Sequence, residues 1–296
     1  MDAAAYASFL LAMGHRVVST PSAYWFDASR FFYLSAPSHL TYSPRPDELG
    51  ALWRQLPCLG VRFASPLEGP GRLSYQIVCD NPQFGLDTLS GNIRSKVRRG
   101  LKRCEIRPVP LREIAVAGKD ANVETTARQG REGVLAGERW NRFFAAAERT
   151  PGFEAWGAWC GDELAAFLIT ASFADSVEFL LARSRSSLLS AYPNNALIYS
   201  VTEEMMVRRR VPEITFGLES LEPVGPLDEF KFGMGFRARP LRQRVIFHPL
   251  IRPLMRSAAL RQWLQVWSER RGANAVFWRK AAGILRFADE SAGVPS

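Results

Sequence analysis

Residues 184–236 constrain what this chain can fold into more than any other stretch. They read SRSSLLSAYPNNALIYSVTEEMMVRRRVPEITFGLESLEPVGPLDEFKFGMGF. Residues 177–182 read as a strand that delivers the chain into a serine-rich loop ending at Tyr192, Pro193, Asn194 and Asn195. Leu197, Ile198, Val201 and Met205 then recur at three- and four-residue steps, which predicts a helix. Asn194 is expected to cap it, because its side-chain oxygen can accept an otherwise unpaired backbone N–H. Arg208, Arg209 and Arg210 fall at the other end, where the helix dipole favours cations. Residues 213–218 read as a buried strand, residues 227–232 as a short helix and residues 242–247 as a further strand. A strand, a loop, a helix N-terminus and a second strand aim free N–H groups and the positive dipole end at one spot. A pyrophosphate or an acyl oxyanion fits there. The same pattern without a ligand is a capped βαβ unit.

Before this stretch, residues 152–160, 164–172 and 177–182 read as three antiparallel strands, with a tight hairpin turn at Gly161-Asp162. Residues 124–148 read as helical with a break near 130–137, and residues 115–121 as a loop. Residues 86–104 predict a basic helix. Leu89, Ile93, Val97 and Leu101 form its buried stripe, and Arg94, Lys96, Arg98, Arg99, Lys102 and Arg103 cover much of the rest. That face either meets substrate phosphates or is simply solvated. Nearer the start, residues 3–13 and 47–55 read as helices, and residues 15–20, 30–35, 61–64 and 73–79 as strands.

The helix-and-strand order is that of an α/β (α+β) protein, with a mixed sheet flanked by helices. The chain divides into residues 1–115, residues 116–249 and a basic amphipathic tail, residues 250–296. The first two parts share a rough element order, which suggests two degenerate tandem units; one enlarged domain is the alternative. In the tail, Leu260, Trp263, Leu264 and Trp267 form one stripe and Phe277, Ala281, Ile284 and Ala288 another. Such helices lie on anionic lipid or dock on the protein body.

The formal net charge of +9 points to an anionic partner such as nucleic acid, a membrane surface, CoA or a nucleotide-linked substrate. Cys58, Cys79, Cys104 and Cys160 are widely spaced and carry no metal-ligand pattern, so no metal is expected. The longest apolar run, residues 164–174, is shorter than the ~20 residues that span a bilayer. Asp2 stands where a secretion signal would carry basic residues. A cytoplasmic location follows as the expectation, with peripheral contact at the inner membrane face as its extension.

The motifs YPNNALIY, EITFGLES and DEFKFGMGF resemble the GNAT-like acyltransferase superfamily, and within it the Fem branch of peptidoglycan-bridge aminoacyl transferases. The matching positions are Pro193, Asn194, Asn195, Gly217, Glu219, Phe230, Lys231, Phe232, Gly233 and Phe236. The likeness covers residues 154–249 well and the N-terminal half weakly. RSKVRRGLKRCEIRPVP resembles the Arg/Lys-rich helix and following strand of the same branch. The GNAT pyrophosphate signature, Gln/Arg-x-x-Gly-x-Gly/Ala, is absent from the loop, a departure that Fem-like proteins share.

The resemblance implies transfer of an acyl or aminoacyl group from an activated donor to a small-molecule, sugar, lipid or cell-envelope precursor. The donor it implies is an anionic co-substrate, acyl-CoA, acyl carrier protein or aminoacyl-tRNA, and no permanently bound cofactor is expected. Such chemistry needs an oriented acceptor, a base and oxyanion stabilisation. Ser190, Tyr192, Asn194, Asn195 and Ala196 are the donor-binding candidates. Glu219 is the candidate base and Lys231 the candidate cation for the donor or oxyanion, with Glu178, Arg94, Arg98 and Phe230 on the acceptor side. Glu219 and Glu178 can equally pair with nearby arginines. If Lys231 lines a cleft, Lys231→Ala weakens donor binding and leaves fold stability nearly unchanged. The strands 177–182 and 213–218 are expected to splay near the loop. Two readings from other classes stand beside this one: a non-catalytic binding protein of the same fold, and a nucleic-acid binder supported by charge alone.

Overall fold

The computed structural model describes residues 1–29, 31–55, 57–130, 135–221, 225–255 and 275–288, together with 257, 259, 262, 263 and 266. Its contacts divide the chain into two compact units that interleave in sequence. The first comprises Met1–Ala5, Ile77–Gly217 and Gly225–Ala238; the second comprises Tyr6–Gln76, Leu218–Val224 and Arg239–Ser296.

The first unit is built on a strand meander. Strands β6 (Glu105–Val109), β7 (Phe153–Cys160), β8 (Glu163–Ser172) and β9 (Val177–Ser184) lie side by side and antiparallel. Strand β10 (Ile214–Leu218) follows beside β9 and runs parallel to it, so the sheet is mixed. Every residue of β8 from Leu164 to Ala171 is buried, as in a strand covered on both faces. Helices supply the cover: α3 (Gly91–Arg103), α4 (Leu111–Ala117), α5 (Lys119–Arg128), α6 (Glu138–Arg149), α7 (Pro193–Glu203) and α8 (Gly225–Gly233). Trp140 of α6 lies edge-on to Phe167 of β8 and donates its indole N–H to Ala115 O at 2.9 Å. The predicted hairpin turn at Gly161 and Asp162 joins the facing pair Cys160 and Glu163.

The second unit orders its strands β1 (Val17–Ser19), β2 (Tyr24–Ser29), β3 (Phe32–Ala36), β4 (Gly60–Ser65), β11 (Arg237–Phe247) and β5 (Arg72–Cys79). Helix α1 (Ala3–Ala12) precedes β1, and α2 (Pro46–Gln55) connects the parallel strands β3 and β4. Trp25, Phe63, Leu52 and Val61 centre its core. Buried Glu48 accepts hydrogen bonds from the Ser22 hydroxyl and amide, at 2.6 and 3.1 Å. These bonds hold its carboxyl below the usual range against the opposing effect of burial.

The tail docks on this unit. After α9 (Arg252–Met255), helix α10 (Ala275–Arg286) brings Leu285, Phe287 and Ala288 against Val245 and Phe247. Val245 N–H donates to Phe287 O at 2.9 Å, and Gly283 sits so close to Leu221 that a Cβ there would lie 2.3 Å from its carbonyl oxygen. Docking is therefore the outcome for Ala281, Ile284 and Ala288 of the second predicted stripe, while the Phe277 side chain falls outside what is described. In the first stripe Leu260, Leu264 and Trp267 fall outside the described residues, and Trp263 is about half exposed, with its ring edge-on to Trp278. No described helix is long and apolar enough to cross a membrane.

Four local expectations change. Strand β2 was not expected; its single aromatic run YWF gives little alternation to read. Residues 115–121 are not a loop: α4 and α5 abut at Gly118, whose φ of −84° and ψ of −6° are nearly helical. The stripe of α3 turns at Gly100, which is buried, while Leu101 is exposed. The cap of α7 is Tyr192, not Asn194: Tyr192 takes a left-handed φ of 59°, and Pro193 occupies the first helical position, where its missing N–H costs nothing.

Candidate functional site

The sheet of the first unit opens beside β9. Strands β9 and β10 share register at only two positions, Val177 with Ile214 and Glu178 with Thr215. Beyond them β9 runs on to Ser184 and, among the described strands, pairs with β8. Strand β10 turns away instead. The Gly217 N–H is taken by the Thr215 hydroxyl at 2.9 Å, which itself donates to Ile77 O at 3.2 Å. Gly217 has a φ of 82°, a backbone that only glycine adopts freely. The expected splay is present. Phe216 faces Phe179 and Phe236 at ring-centroid distances of 5.2 and 4.7 Å, so one side of the opening is aromatic.

Helix α7 begins where β9 ends. Its first internal hydrogen bond runs from Ala196 N–H to Tyr192 O, at 3.2 Å. With proline at the first position, the Asn194 and Asn195 amides are its leading donors. The Asn194 side chain donates to Ser184 Oγ at 3.0 Å, tying the helix head to the end of β9. The Asn195 side chain is buried and reaches Met234 Sδ at 3.4 Å, so this residue offers only its backbone.

Helix α3 lies across this head. A Cβ at Gly100 would sit 2.7 Å from Tyr192 O and 2.9 Å from Ala196 Cβ, so only glycine permits the approach. That contact brings one flank of α3 over the loop. Arg103 donates to Ser190 O at 2.8 Å, and the Arg99 guanidinium lies 5.1 Å from the Tyr192 ring centre. Arg128 of α5 donates to Ser186 Oγ at 2.5 Å and to Ser184 O at 3.2 Å. Ser186 N–H binds Glu124, and this bond holds the Glu124 carboxyl below the usual range, with Arg185 and Arg128 assisting. Three arginines thus surround the positive end of the α7 dipole, a combination suited to an anion.

Ser190, Tyr192, Asn194, Asn195 and Ala196 are all brought together here, with Arg99 and Arg103 beside them. The acceptor-side arginines are elsewhere. Arg94 donates to Leu89 O at 3.0 Å and lies 3.7 Å from Asp87, and Arg98 projects from the opposite flank of α3 by its helical spacing. Glu178 is buried in β9 at the last paired position. Lys231 lies with its ammonium 5.5 Å from the Phe216 ring centre and donates to Asp228 at 2.8 Å. Both partners of that pair are shielded, at 15% and 12% side-chain exposure, so Lys231 also holds the fold. This differs from the expectation of a lysine with no structural duty. Phe230 is half-buried on the same short helix.

Glu219 belongs to the second unit. Its Oε2 accepts from Ser74 at 2.7 Å and its Oε1 from Arg286 at 2.8 Å. Arg62 donates to Glu219 O at 3.1 Å and to Gln243 Oε1 at 2.8 Å, and Gln243 Nε2 donates to Ser74 Oγ at 2.7 Å. Burial pushes the Arg62 guanidinium down to about 10, while Glu219 pulls it up and Arg286 adds to the depression. Both Glu219 oxygens are therefore engaged within this network. Arg62, Ser74, Gln243 and Arg286 were not anticipated. A lone Arg in the apolar strand GVRFAS was the one signal for them.

Among the described residues, no cluster of His, Cys, Asp or Glu could hold a metal ion. A groove of about 410 Å³ lies at the edge strand β6, lined by Pro108, Pro110, Leu111 and Phe153 among others, and shares no residue with the α7 head.

Solved structures share this architecture. The chain is similar to the C-terminal (DUF2156) domain of a putative lysylphosphatidylglycerol synthetase from Agrobacterium fabrum, at 11% identity and a TM-score of 0.57, covering 86% of this chain and 90% of that one. It is similar to FemX at 11% identity and a TM-score of 0.56, covering 84% and 93%. It is also similar to L-PGS from Bacillus licheniformis at 15% identity and a TM-score of 0.53, covering 80% and 86%. No family model and no curated protein matches. At these identities the likeness establishes the fold.

Proposed function

We propose that the protein is an acyl or aminoacyl transferase whose activated donor lays its anionic part at the head of α7. One observation carries this reading: the β9–β10 opening meets a helix N-terminus flanked by Arg99, Arg103 and Arg128. The Asn194 and Asn195 amides bind donor phosphate, and the arginines neutralise it. The acyl carbon then sits in the splay. The acceptor amine or hydroxyl attacks that carbon, the bond to the donor's sulfur or oxygen breaks, and the acceptor proton passes to a base and on to the leaving group. Lys231, above Phe216, steadies the oxyanion or donor phosphate. Glu178 of β9 is the base candidate within the same unit.

Acyl-CoA, acyl carrier protein and aminoacyl-tRNA each join a phosphate-bearing carrier to an activated carbonyl, and all are cytoplasmic, so the reading extends to a cytoplasmic location. Domains of this fold named for lysylphosphatidylglycerol synthesis make a lipid or cell-envelope acceptor the first to try. Exposed Leu250 and Leu254 beside Arg252 give the tail a means of peripheral contact with anionic membrane.

The experiment is a thermal-shift screen with acyl-CoAs, aminoacyl-tRNA and acyl carrier protein, followed by transfer assays with any donor that binds. A native-state binder raises the melting temperature. A shift with one donor class, lost in Arg99→Ala/Arg103→Ala, is expected. No shift with any of them would remove the transferase reading and leave a binding protein of the same fold.

A further inference from the structure

Cys104 stands between α3 and β6, and its N–H closes the helix on Gly100 O at 2.8 Å. Strand β6 pairs antiparallel with β7, with Glu105 opposite Trp159. One more step along that register sets Cys104 opposite Cys160, the last residue of β7. Their sulfurs are 2.8 Å apart. Directly opposed residues of an antiparallel pair have Cα atoms roughly 4.5–5.5 Å apart, within the span a disulfide bridges. Register and sulfur separation agree, and neither depends on the acyl-transfer reading.

We propose that Cys104 and Cys160 are a dithiol pair that a small disulfide oxidant, of the glutathione type, converts to an intrachain disulfide. Cys160 is the entry point, because it is half-exposed beside the Gly161 turn while Cys104 is buried. The Cys160 thiolate attacks one sulfur of the oxidant. The oxidant's S–S bond breaks, and its first thiolate leaves and takes up the proton that Cys160 gave up. Cys104 then attacks the Cys160 sulfur, and the second thiolate leaves with the Cys104 proton. Two protein thiols are oxidised and one small disulfide is reduced to two thiols. Burial pushes the Cys104 thiol up to about 12, with Cys160 adding to the rise, so Cys104 resolves the mixed disulfide and does not initiate. The remaining cysteines are poor competitors. Cys58 is pushed up to about 11 and Cys79 is also raised, both by burial.

The bond reaches the α7 head through one neighbour. Arg103, next to Cys104, holds Ser190 O, and Cys104 Sγ itself lies 4.0 Å from Ala191 O. A disulfide therefore fastens the end of α3 to β7 and holds the loop-binding arginine in place. In a reducing compartment such a bond forms only when the thiol balance shifts, as redox-sensing pairs do.

The test treats the full chain with oxidised glutathione, then denatures and alkylates it. Two of the four cysteines should escape alkylation, and the chain should be lighter by two hydrogens. Digestion should give one linked pair of peptides carrying Cys104 and Cys160, and dithiothreitol should separate it. The oxidised chain should melt higher than the reduced chain. Cys104→Ser should stop at a glutathione adduct on Cys160. Four alkylated cysteines, a link to Cys58 or Cys79, or a stable adduct on Cys160 of the unaltered chain would overturn the pair. An unchanged melting temperature would overturn the clamp.

Discussion

Gly100→Ala is the substitution that most sharply tests how α3 meets α7. In a free helix interior, Gly to Ala stabilises by about 0.5–1 kcal/mol, because alanine has less backbone freedom to lose. At Gly100 the new methyl would stand 2.7 Å from the Tyr192 carbonyl oxygen and 2.9 Å from Ala196 Cβ. Neither atom is the tip of a flexible side chain, so the helices must part. Overpacking of this kind costs about 1–3 kcal/mol. The net expectation is a loss of about 1–2 kcal/mol after the propensity gain. Gly91 is the control: it lies in the same helix, and a Cβ there meets nothing within 4 Å. Urea unfolding of both variants measures the difference. Gly100→Ala should lower the midpoint and Gly91→Ala should hold or raise it. Parting the helices also draws Arg99 and Arg103 off the loop, so donor binding should weaken in Gly100→Ala alone. Equal or greater stability for Gly100→Ala would refute the close helix contact.

Lys231→Ala should lower stability by about 1–3 kcal/mol, because it strips the shielded Asp228 carboxylate of a charge-assisted bond; a melt identical to the unaltered chain would make the pair inert. Truncation after Pro249 should expose Val245 and Phe247 and remove Leu285 and Phe287, worth about 1.5–3 kcal/mol each when fully buried, and should yield an aggregating product; a soluble, equally stable truncation would contradict the docked tail. Glu124 has a folded-state pKa below its unfolded one, so its contribution is present above the unfolded value and is lost as pH falls through the folded value. Glu124→Gln should therefore flatten the acid limb of melting temperature against pH, and an unaltered limb would show that the Ser186 bond does not contribute.

What the sequence made legible was local and periodic. The meander β7 to β9, the loop and the buried helix α7 each announce themselves within about a dozen residues, by alternation, by Pro193 or by three- and four-residue steps. The cap was misplaced because Asn194 is a good cap by type, while Pro193 fixes the first helical position one residue earlier. Leu101 was expected inside because a leucine at that spacing usually is. The helix turns Gly100 inward instead, since only a residue without a side chain fits under Tyr192. The network around Glu219 was out of reach of any window. It gathers Arg62, Ser74, Gln243 and Arg286 from three strands and the tail. Arg99 and Arg103 could not be told from Arg94 and Arg98 by composition; the Gly100 contact decides which flank of α3 faces the loop.

The central claim is that the head of α7, with Arg99 and Arg103, binds the anionic part of an acyl donor. Calorimetric titration of each donor class into the unaltered chain and into Arg99→Ala/Arg103→Ala tests it directly. Both arginines are exposed side chains, so the double variant should melt normally. It should bind the active donor about tenfold or more weakly, the equivalent of ~1.4 kcal/mol or more, and the binding of both proteins should fall with salt, less steeply for the variant. Equal affinity and an equal salt slope in a normally folded variant would contradict the account.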